Sequence, residues 1–117
     1  MKKAIITVVL VIGMIANTFG QLNSNAESFK GTKVYEKIKF MAVNKWEDNH
    51  KMVVYEINKQ CDAALDINVI SKESDKKRDI VVSAMTKWSD KINGEYYYNW
   101  SMVLYEYKKQ FKASSSY

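Results

Sequence analysis

From Thr32 onward, apolar residues recur at three- and four-residue intervals. Val34, Ile38, Met41/Ala42 and Trp46 form one stripe, and Val53, Ile57, Cys61 and Ala64/Leu65 form a second. A third runs Ile80/Val81, Ala84, Trp88 and Ile92, and a fourth runs Tyr96, Trp100, Val103, Tyr107 and Phe111. This period belongs to helices with one buried face. Thr32 offers an N-cap, Asp48-Asn49 a break or a fresh cap, and Ser71 or Ser74 a cap for the third stripe. The pattern predicts four helices at about 33–47, 50–66, 74–92 and 95–113, and an all-α small helical bundle. Residues 66–74 are expected to connect the halves, 21–31 to be a flexible lead-in, and 114–117 a polar tail.

Two other architectures fit the pattern. The breaks near 48 and 93 are weak, so the helices can fuse pairwise into a long helical hairpin that dimerises. The third possibility is α+β, with strands near 52–57 and 96–107. Both segments are rich in Val and Tyr, and Tyr96, Tyr98, Trp100, Met102 and Leu104 alternate with period two. Asn93-Gly94 then becomes a type I′ hairpin turn in place of a helix C-cap. Helix is preferred because both Val/Tyr segments continue into Lys-Gln-x-x-Ala, which has helical propensity.

The stripes are also related to one another. Met52 to Gln60 reads against Met102 to Gln110 with six of nine positions identical. Lys45-Trp46-x-Asp48 matches Lys87-Trp88-x-Asp90, Ile38 matches Ile80 and Ala42 matches Ala84. The upstream block repeats at a spacing of 42 and the downstream block at 50, so the second copy carries eight extra residues. The chain from 32 to 113 thus reads as one helical domain made of two αα-hairpins, about 34–66 and 76–113.

The first twenty residues read differently. Lys2-Lys3 precede an uncharged apolar run from Ala4 to Ala16, and Thr18 and Gly20 are small residues at the positions expected before a cleavage at Gln21. The run is shorter than the roughly 20 residues of a bilayer span and has the layout of a secretory leader. The reading predicts a periplasmic or secreted protein of 97 residues with no stable membrane insertion after cleavage. Loss of Lys2 and Lys3 lowers the formal charge from +5 to +3.

Composition narrows the chemistry. One Cys, one His and no Pro leave no disulfide framework and no Cys/His zinc set, so no metal and no cofactor are expected. Cys61 lies on an apolar stripe and is expected to be buried. Glu47-x-x-His50 has di-iron spacing, but the second copy lacks the His. Lys72, Lys76, Lys77 and Arg78 are interleaved with Glu73, Asp75 and Asp79, which argues against a nucleic-acid partner.

Two constellations remain. Glu56 and Glu106 occupy equivalent repeat positions and could form a carboxylate pair of a small hydrolase. Alternatively each pairs with Lys59 or Lys109, or bonds Gln60 or Gln110, along its own helix. The second constellation is aromatic, with Tyr96, Tyr97, Tyr98, Trp100, Tyr105, Tyr107 and Phe111 falling within 16 residues. One stripe cannot bury them all, and exposed Tyr and Trp suit binding. The expected function is a non-catalytic binding module for a protein, peptide or glycan. Its candidate residues are Trp46, Tyr55, Glu56, Trp88, Tyr97, Tyr98, Trp100, Tyr105 and Glu106. A self-associating envelope protein, as a homodimer, is the alternative.

Overall fold

A computed structural model describes residues 20–116. The leader expected at 1–20 therefore lies outside the described residues except for Gly20. The chain is mostly helical, at 72% helix, with five helices and one two-stranded sheet among the described residues. The elements are α1 (Ser24–Phe29), α2 (Lys33–Trp46), α3 (His50–Ser71), α4 (Asp75–Lys87), β1 (Ser89–Ile92), β2 (Glu95–Tyr98) and α5 (Trp100–Ser114). It divides into two compact units, one ending at Asn58 and the other starting at Lys59, so the boundary falls inside α3.

The first unit contains α1, α2 and the start of α3. The lead-in expected to be flexible holds a helical turn and a half, because Asn23 caps α1 by accepting from the Ala26 amide at 2.8 Å. Thr32 caps α2 in the same way, accepting from Tyr35 N–H at 3.1 Å. Tyr35, Ile38 and Ala42 bury one face of α2, and Val53 and Ile57 are buried on α3. Glu47 stops α2 with φ at 53°. Asn49 then starts α3, its side chain accepting from Met52 N–H at 3.3 Å.

The second unit packs the rest of α3 with α4 and α5. Ile67, Val81, Ala84, Val103 and Tyr107 form its core, with Ile70, Trp88, Tyr98, Trp100 and Phe111 packed around them. The expected connection at 66–74 shrinks to a turn, since α3 runs on to Ser71. The physical reason is that Ile67 and Ile70 complete the apolar face against α4 and α5. Ser74 caps α4 by accepting from Lys77 N–H at 3.1 Å.

The main correction falls on 88–99. Helix was expected to 92 and again from 95, but α4 ends at Lys87, and a β-hairpin occupies the place of the eight-residue insertion. Asn93 (φ 52°) and Gly94 (φ 82°) both have positive φ, the requirement of a type I′ turn. Ser89 pairs with Tyr98 and Ile92 with Glu95 across the turn. The α+β alternative thus holds at the Asn93-Gly94 turn and at 96–98, and fails at 52–57 and 100–107. Residues 52–57 and 102–107 are helical, because Asn49 and Asn99 each cap the helix that follows, Asn99 ending the alternation at the Met102 amide, 3.3 Å away.

Candidate functional site

The repeat brings a lysine and a glutamate together in each unit. In the first unit, Lys45 and Trp46 end α2, and Glu56 lies nearly two turns into α3, on its buried face. Lys45 Nζ and Trp46 Nε1 both reach Glu56 Oε1 at 3.4 Å, and the Lys45 ammonium sits 5.4 Å from the Trp46 ring centroid. In the second unit, Lys87 ends α4 and Glu106 faces it from α5. Lys87 Nζ lies 3.2 Å from Glu106 Oε1, and Gln110 Nε2 donates to Glu106 Oε2 at 2.9 Å.

Both carboxylates are buried. A buried carboxylate without donors would be costly, so each is held by a lysine from the preceding helix. Lys45 and Lys87, partners that the expected spacing along one helix did not include, form the ion pairs with Glu56 and Glu106. The Gln110 bond to Glu106 follows the expected spacing along one helix, and the Lys109 charge adds a weaker pull on the same carboxylate. The Gln110 hydrogen bond, then the Lys87 bond, hold the Glu106 carboxyl below its usual range. A group poised in that direction stays ionised at neutral pH and is a poor general acid.

The tryptophans differ between the copies. Trp46 Nε1 donates to its glutamate, whereas Trp88 Nε1 is buried with no hydrogen-bond partner. Trp88 instead closes the hairpin through its backbone, accepting from Asn99 N–H at 3.2 Å. Gln60, the counterpart of Gln110, reaches the start of α5. Its Oε1 accepts from Ser101 N–H at 3.2 Å, and its Nε2 donates to Asn99 Oδ1 at 3.0 Å.

The aromatic candidates split into two groups. Trp88, Tyr98 and Trp100 pack against the second core, with the Tyr98 and Trp100 rings 5.1 Å apart. Tyr97 is half-buried on the opposite hairpin face from Tyr96 and Tyr98. Tyr55 and Tyr105, at the same repeat position, are exposed at 55% and 59%, and Tyr96 is exposed with Lys91 5.6 Å from its ring centroid. Neither unit contains both Glu56 and Glu106.

No protein-family model, curated protein or solved structure matches this chain.

Glu47 ends α2 and His50 begins α3, so the Glu-x-x-His spacing spans a helix break and does not share a helix face. No group of three His, Cys, Asp or Glu side chains comes together among the described residues. Cys61 is buried, and desolvation, reinforced by Asp62, pushes its thiol up to about 11. No helix among the described residues is long and apolar enough to cross a membrane. Sequence reasoning passed over Lys45, Lys87 and Asn99 as working parts. Their signal was present: Lys45/Lys87 adjoin the repeated Trp, and Asn49/Asn99 recur at the spacing of 50.

Proposed function

We infer that this chain is a small exported protein that works by binding rather than by catalysis. Its contact residues are the exposed tyrosines: Tyr55 in the first unit, and Tyr105 and Tyr96 in the second. The observation that carries this reading is the equal exposure of Tyr55 and Tyr105 at one repeat position. Burial would stabilise an aromatic ring, yet both copies keep it outside. The same turns bury the neighbouring glutamate and engage it with lysine, which supports a structural role for Glu56 and Glu106 over hydrolysis. The partner class is a protein, peptide or glycan, met in the periplasm or outside the cell.

Two experiments test the reading. N-terminal sequencing of the protein recovered outside the cytoplasm should begin at Gln21. Retention inside with Met1 or Lys2 at the terminus refutes export. Tryptophan fluorescence titrated with oligosaccharides and extended peptides should report saturable binding, weakened about tenfold or more by Tyr55→Ala or Tyr105→Ala, as for an interface anchor. Titration curves unchanged in both variants refute the tyrosine surface. A hydrolytic activity abolished by Glu56→Gln or Glu106→Gln turns the reading to an enzyme. Concentration-dependent dimerisation abolished by the tyrosine variants turns it to self-association.

A further inference from the structure

We propose that the outward face of α5 docks on an anionic lipid surface through Tyr105, Lys108, Lys109 and Lys112. These residues fall at i, i+3, i+4 and i+7, which places them on one helix face over about 10 Å of axis. All four are exposed, and none of the three lysines forms a salt bridge among the described residues. The acid nearest in sequence, Glu106, is buried and is engaged by Lys87 and Gln110, with the Lys109 charge the smallest influence on it. The proposal goes beyond the peptide or glycan reading and shares only Tyr105 with it.

The repeat shows what this face does elsewhere. The first-copy counterparts of Lys108, Lys109 and Lys112 are Asn58, Lys59 and Asp62. There the face is a docking surface: Asn58 donates to the Gln21 carbonyl at 2.9 Å and accepts from Asn23 N–H at 2.8 Å. In α5 the amide has become a lysine and the acid has become another. A face that holds a polar backbone in one copy is therefore recast, in the other, to hold negative charge.

Lipid headgroups fit this face better than a defined small anion. The donors are all lysines, which act as point charges on flexible stems, with no arginine fork to fix one phosphate. The stripe is convex and has an aromatic residue at one end. Tyr is favoured at the headgroup level, where one end of the ring is dry and the phenol is wet. Each lysine near an anionic membrane contributes about fivefold in affinity, so three give roughly a hundredfold.

The test is cosedimentation of the full chain with vesicles of phosphatidylcholine alone and with a third phosphatidylglycerol. The leader with Lys2 and Lys3 contributes equally in every variant, so the readout is the change in preference for the anionic vesicles between variants. That preference should fall roughly a hundredfold in Lys108→Gln/Lys109→Gln/Lys112→Gln. It should fall a fewfold in Tyr105→Ala and weaken with salt. Lys39→Gln/Lys51→Gln/Lys72→Gln removes the same charge from other exposed positions and should retain most of it. Circular dichroism of each variant checks that the helices persist. Equal loss in both triple variants, or full retention in the α5 triple, overturns the proposal. So does stripe-dependent binding to a soluble anionic polysaccharide or a stripe-dependent dimer, where vesicles show no preference for negative charge.

Discussion

Val103 is fully buried at the centre of the second core, against Ile67, Val81, Ala84 and Tyr107. Replacing it with Ala removes two methyl groups, about 1.6 kcal/mol of transfer free energy. They leave a space of roughly 50 Å³, which adds about 1.2 kcal/mol if the surrounding helices do not relax. Ala is the better helix former and returns about 0.5 kcal/mol. The expected net loss is about 2.3 kcal/mol. For a chain of this size that lowers Tm by roughly 10–18 °C. Two valines serve as internal references. Val53 is the repeat counterpart, slightly less buried at 9% exposure, and should cost somewhat less. Val82 is 55% exposed on α4, and its replacement should be neutral or slightly stabilising. Urea titration of the three variants, followed by far-ultraviolet circular dichroism, measures the order. If Val103→Ala costs no more than Val82→Ala, the buried face of α5 has been assigned incorrectly and the helical register with it.

Three further outcomes follow from the same packing. Trp46→Phe removes a donor from Glu56, whereas Trp88→Phe removes a buried N–H that has no partner, so Trp88→Phe should be the more stable variant by about 1–2 kcal/mol in thermal melts. Glu106 has a folded-state acidity stronger than its unfolded value. Its contribution is therefore present above the ordinary glutamate range near about 4.3 and is lost as pH falls through the lower folded value. Glu106→Gln should flatten the acid side of the stability profile, and an unchanged slope refutes the Gln110 and Lys87 assignment. Glu47 ends α2 at positive φ, where a side chain is strained, so Glu47→Gly should raise stability by about 0.5–1 kcal/mol in denaturant titrations.

The helices were legible because their cause is local. Apolar spacing, the caps Thr32, Asn49 and Ser74, and the absence of Pro all act within a few residues of chain. The hairpin was half-legible. Asn93-Gly94 carries the type I′ signal, but the residues around it satisfy period two and period four alike, and α4 could as well have run on through Ser89-Asp90. The contacts that settle the choice come from elsewhere. Gln60 on α3 reaches Asn99 and Ser101, pinning the start of α5 and thereby ending β2. The site shows the same division. The repeat marked Trp46/Trp88, Tyr55/Tyr105 and Glu56/Glu106 as matched positions, but their exposure was not readable. Neighbouring residues on one helix turn separately toward core and solvent, and only the packed helices show that the glutamate faces inward and the tyrosine outward.

What the sequence by itself determined, then, is the helical class and most of the capping. Each depends on a residue's relation to neighbours at fixed short separations. Tertiary structure decided where α3 stops, what the insertion becomes and which lysine holds each buried carboxylate. Those outcomes depend on apolar surface and donors brought from 10 to 40 residues away, and local propensity carries no information about such partners.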